Sequence, residues 1–152
     1  MYKFIFIIMY LISLNANAEE IRLSCNMLIK RIYPNGSSES KKEVVFADID
    51  ADDSGFYMEL KGEDLLFSIT SRSFKNKNIT KNVVNNSNSN KWNISNFSKL
   101  SELNIEGEDY IYLDRNTGKI SIRAEHTRNN QKMVTTYGSG TCEKININLK
   151  KF

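Results

Sequence analysis

The chain has little of the residues that usually carry chemistry. Its 152 residues include one histidine, one proline, one tryptophan and two cysteines. With so few cysteine and histidine side chains, none closely spaced, the usual four-ligand Cys/His zinc set cannot be assembled. No Gly-rich phosphate loop, no H-E-x-x-H and no G-x-S-x-G occurs, which removes the standard signatures of nucleotide binding, metalloproteolysis and serine hydrolysis. A surplus of one charge is missing too. Lys and Arg number 21 against 18 Asp and Glu, a formal net charge of +3. That balance argues against a dedicated nucleic-acid binder, which normally carries a strong basic excess.

Long apolar runs are also scarce, and the one present is informative. Met1-Tyr2-Lys3 is a short, positively charged start, Phe4 to Leu14 is uncharged, and Asn15-Ala16-Asn17-Ala18 supplies small residues. Ala16 and Ala18 form the A-x-A that a signal peptidase reads. The apolar run falls well short of the roughly 20 residues needed to span a bilayer. Residues 1–18 are therefore expected to be a cleaved signal peptide and residues 19–152 a single domain, periplasmic or secreted. No second long apolar run follows, so no transmembrane segment is expected after cleavage.

In an oxidising compartment two lone cysteines are read as a disulfide. Cys25 and Cys142 would then clasp the two ends of the domain. By the chain-entropy model a loop of this size is worth about 4–5 kcal/mol, a large part of a typical domain stability of about 5–15 kcal/mol.

The rest of the chain alternates with period two, the mark of strands with one buried face. Ile21, Leu23, Cys25, Met27 and Ile29 share a face, and Tyr33-Pro34-Asn35-Gly36 is a turn. Glu43 to Ile49 is a β-rich run. Phe56, Met58 and Leu60, then Leu65, Phe67 and Ile69, form two further inward faces. Tyr110 to Leu113 and Ile120, Ile122 and Ala124 flank a hairpin loop in which Gly118 suits a positive φ. Residues 75–91, rich in Asn, Ser and Lys, read as a long mobile surface loop with at most a short strand at Val83-Val84. Phe97, Leu100 and Leu103 are spaced by three, which suggests a helical turn or two over 98–103. Cys142 falls out of phase with Ile145, Ile147 and Leu149, so a bulge is expected between them, or else a clasp on the outer side of the sheet. The sum is an all-β domain: one antiparallel meander of about seven to nine strands, closed as a small barrel or sandwich.

Candidate sites are few. Asp50, Asp52, Ser54 and Gly55 follow the start of a calcium loop, but the closing glutamate is replaced by Lys61. No metal and no cofactor is expected. His126 is in phase with Ile120, Ile122 and Ala124 near a strand end. Neither Ser121 nor Asp114 is spaced to make a triad with it, and no catalytic residue is assigned. Asp109, Asp114 and Glu125 offer carboxylates for pairing across the hairpin, and paired carboxylates are the machinery of glycoside hydrolysis. Trp92, Tyr110, Tyr112 and Tyr137 are the candidate binding residues, since amphipathic rings favour recognition of proteins or sugars.

The order of signal peptide, early Cys25, the turn Asp114-Arg115-Asn116-Thr117-Gly118-Lys119 and the late Gly140-Thr141-Cys142 resembles that of small exported bacterial β-rich proteins of uncharacterised function. The resemblance implies a periplasmic β domain and brings no activity with it. The expected function is a non-enzymatic protein-binding or inhibitor-like module, similar in format to small disulfide-clasped lysozyme inhibitors, whose partner is another periplasmic or secreted protein. The alternative is a lipocalin-like carrier of a small apolar ligand. A hydrolase ranks third.

Overall fold

The computed structural model describes residues 19–52, 55–75 and 77–145. The expected signal peptide, Asp53 and Ser54 of the acidic loop, and Ile147 and Leu149 lie outside the described residues.

Strand follows strand: β1 (Glu19–Ile32), β2 (Ser38–Asp52), β3 (Gly55–Lys61), β4 (Leu66–Thr70), β5 (Phe74–Lys75), β6 (Ile79–Asn85), β7 (Lys91–Leu100), β8 (Ile105–Asp114), β9 (Lys119–Arg128), β10 (Gln131–Lys132) and β11 (Thr135–Lys144). All neighbours pair antiparallel, in the order β4-β3-β2-β1-β11-β9-β8-β7-β6-β5, with β10 attached to β9. Leaving out the two-residue β5 and β10, the sheet is a nearly closed barrel of nine strands. Its first and last strands are neighbours, as the cysteine pair implies. The seam falls mid-chain, where β4 packs against β7 and β8 without pairing with them. Closing the sheet in this way buries one face of nearly every strand and leaves few edges.

Alternation decides what goes inside. Cys25, Met27 and Ile29 of β1, Val45 and Ala47 of β2, and Met58 and Leu60 of β3 are buried. They meet Ile94, Ile111 and Ile122 from the other half of the barrel in one continuous core. The clasp is part of it. Cys25 and Cys142 stand directly opposite in the β1–β11 register, disulfide-bonded with Cα atoms 3.9 Å apart. At the hairpin, Asp114 Oδ1 accepts hydrogen bonds from the Asn116 and Thr117 amides at 2.9 and 3.0 Å. Gly118 follows with φ +70°, a backbone state that glycine enters without strain.

Three expectations are corrected. Residues 75–91 are not one loop, because Ile79–Asn85 pair along their length with β7. Val83 of β6 packs against the core, and β7 supplies the strand's backbone partners. Polar composition hid the strand. No bulge precedes Ile145: the β1–β11 register runs unbroken from Ile32↔Thr135 to Leu23↔Lys144, and the Ile145 amide continues it by donating to Arg22 O. On β11 the even residues point inward, among them Gly138 and Cys142, so the clasp is inside and Ile145 is on the other face. Finally, Ser98, Lys99 and Leu100 extend β7, and the expected helical turns shrink to one 3-10 turn at Ser101–Leu103.

Candidate functional site

The four aromatic candidates divide between two places. On β8, Ile111 and Leu113 are buried, so Tyr110 and Tyr112 take the outward phase. The register sets Tyr110 opposite Arg123, and Arg123 opposite Tyr137. Three neighbouring strands thus carry one outward row of tyrosine, arginine and tyrosine, with Tyr112 in the adjoining row. Acids fix the row in place. Arg123 Nη2 donates to Glu108 Oε2 at 3.2 Å, and its Nε lies 3.9 Å from Glu125 Oε1. The Tyr137 hydroxyl donates to Glu125 Oε1 at 2.8 Å, which holds the phenol above its ordinary pKa. A cleft of about 570 Å³ borders the row, lined among others by Tyr33 and Pro34 of the first turn, Phe97, Met133 and Tyr137. Phe97, Met133 and Tyr137 are 42%, 38% and 37% exposed, so apolar surface is on offer rather than buried.

Trp92 belongs elsewhere. It points inward on β7 and is 8% exposed, with its ring 5.7 Å from that of Phe56. The Arg115 guanidinium covers it at 4.8 Å while donating to Ser89 O at 3.2 Å. This closes one end of the barrel, called here the upper end. A pocket of about 340 Å³ remains there, lined by Ile21, Leu23, Trp92, Leu113, the 114–118 turn and Cys142.

The inward phase changes character toward the lower end. Below Ile94 and Ile111 come Asn96 on β7, Asp109 on β8 and His126 on β9. Asn96 and Asp109 are opposite each other. His126 is opposite Gly107, and its ring occupies the space a side chain would need: a Cβ on Gly107 would stand 2.1 Å from His126 Cδ2. From there His126 Nε2 lies 3.3 Å from Asp109 Oδ1, and this carboxylate raises the imidazole pKa above its ordinary value. Asn96 is fully buried, and neither of its amide atoms has a hydrogen-bond partner among the described residues.

The partner of His126 is therefore Asp109. Asp114 lies in the hairpin turn, and Ser121 pairs with Tyr112 in the outward phase. The carboxylates considered for pairing also separate: Asp109 points inward, Asp114 caps the turn, and Glu125 is outward opposite Glu108. Asn96 was missed in the sequence, although its even spacing from Trp92 and Ile94 marked it as a polar residue in an inward phase. At the acidic hairpin, Asp50 and Gly55 sit within the β2–β3 ladder, which is the plain-turn arrangement.

Set against known families, curated proteins and solved structures, the chain matches none.

Proposed function

We propose that this chain is an exported, non-enzymatic binding module that holds another periplasmic or secreted protein on its outward β8–β9–β11 face. The observation that carries the reading is the single row Tyr110, Arg123 and Tyr137 beside a cleft edged by exposed Phe97 and Met133. Tyrosine, arginine and methionine are the residues enriched where proteins bind proteins. Here they are preorganised, since Glu108 and Glu125 already fix the arginine and one phenol. A side chain held before binding loses less entropy on binding. The buried clasp suits a protein working in an oxidising compartment.

A second reading, a carrier of a small apolar ligand, draws its support from the upper-end pocket and its apolar lining of Ile21, Leu23, Trp92 and Leu113. The large inward side chains that fill the middle of the barrel, Met58, Leu60, Ile94 and Ile111 among them, favour the protein-binding reading.

The two are separated by affinity capture from periplasmic extract with the oxidised domain and with its Arg123→Ala/Tyr137→Ala variant. The binding reading expects a protein enriched by the wild type and lost from the variant. A small molecule that co-purifies equally with both, with no protein enriched, rejects it.

A further inference from the structure

We propose that Asn96, Asp109 and His126 form a binding site for one divalent transition-metal ion, of which Zn²⁺ is the type, at the lower end of the barrel interior. The sequence excludes a Cys/His zinc set, but the fold assembles a different one from three consecutive strands. Asn96 and Asp109 face each other across β7 and β8. His126 starts one strand further away, and the missing side chain of Gly107 lets its ring lie over β8. The register therefore sets all three side chains on the same inward face, on either side of Asp109.

Two observations point to an ion. The first is spacing. His126 Nε2 and Asp109 Oδ1 are 3.3 Å apart, a separation that one ion can span. Two donors bound to one tetrahedral ion at zinc-ligand lengths stand roughly 3.4 Å apart. The second is Asn96, fully buried with both amide atoms unpartnered among the described residues. A buried polar group left unmatched destabilises the fold, and a metal bound by its Oδ1 removes part of that penalty. Its Nδ2 is then free to orient the Asp109 carboxylate, the supporting role that outer groups play around metals. Imidazole, carboxylate and amide carbonyl all present lone pairs, a set that selects a cation. The imidazole favours Zn²⁺ and its transition-metal neighbours over Ca²⁺ and Mg²⁺. Access is available from below, because His126 is 28% exposed and it and Gly107 line the outer cleft.

His126 is the only histidine, so a tag-free oxidised domain gives one imidazole signal set. Zn²⁺ alone is titrated into it, followed by the imidazole resonances and by calorimetry. The proposal expects one ion per chain and a shift of the His126 signals that saturates at that ratio. It expects His126→Ala and Asp109→Asn to abolish the binding, and Asn96→Leu to weaken it about 10–100-fold, the scale seen when a supporting group is lost. Asn96→Leu replaces an orphaned amide with an apolar side chain, so this variant is expected to stay folded. Wild-type imidazole signals unmoved by Zn²⁺ overturn the proposal without recourse to any variant. Binding that survives Asn96→Leu or Asp109→Asn unchanged overturns it equally.

Discussion

Asp114 shows how much one side chain does at the residue scale. Its carboxylate accepts the Thr117 and Asn116 amides, which holds its pKa below the ordinary carboxylate value. A depressed carboxylate pKa stabilises the fold above the unfolded value, about 3.9 for Asp, and that contribution disappears as pH falls through the folded value. Asp114→Asn keeps an acceptor but loses the charge. Wild type is therefore expected to melt higher than this variant at pH 7, with the gap closing below about pH 3.9. Thermal unfolding of both proteins from pH 7 to 2.5 checks this, and a gap that widens in acid contradicts it. The turn was legible because Asp at its start and glycine near its end have local reasons to be there. The Asn96–Asp109–His126 group was not legible as a group. Its members are far apart in sequence, and only the register of β7, β8 and β9 brings them onto one face.

At the scale of elements, β6 is the instructive strand. Composition marked 75–91 as a loop, whereas pairing with β7 makes most of it a strand. An outlying strand with so few apolar side chains in its inward phase, spaced four apart, carries almost no periodic signal, so the neighbour and not the sequence decides. Val83 packs against the core while Val84 is 57% exposed. Val83→Ser is expected to lower stability by about 1 kcal/mol, in line with the loss of partly buried methyl groups. Val84→Ser should stay within about 0.5 kcal/mol of wild type. Urea unfolding measures both, and equal small effects would be the behaviour of a loop. The strands with clean alternation, β1, β3, β4 and β9, were readable from sequence for the opposite reason: each carries a run of buried apolar side chains on one face. The phase of Cys142 was misjudged because its inward neighbours on β11 include Gly138 and Gly140, which show no hydrophobic pattern. The aromatic candidates divide for the same kind of reason. Trp92 and the tyrosines look alike in composition, but their phases send them to opposite faces.

The whole molecule is a sheet whose first and last strands pair side by side at its middle, tied there by a covalent bond, and which curls until β4 packs against β7 and β8. The bonded cysteines are 117 residues apart in sequence. Removing that constraint, as Cys25→Ala/Cys142→Ala, is expected to lower stability by about 4–5 kcal/mol, read as a fall in the urea midpoint. An unchanged midpoint would mean that strand pairing alone holds β1 to β11. Closure also sets where the proposed sites lie. It sends apolar side chains to a shared interior, gathers polar ones at its lower end, and leaves the tyrosine and arginine row on the outside.

That outward face is the centre of the functional account, and site-specific photo-crosslinking in the producing cells tests it most directly. A photoreactive residue is placed at Tyr112 or Tyr137, and for comparison at Tyr57, which is 44% exposed but on β3. The account predicts a discrete protein adduct from positions 112 and 137 and none from 57. No adduct from 112 and 137, or the same adduct from all three, would contradict it.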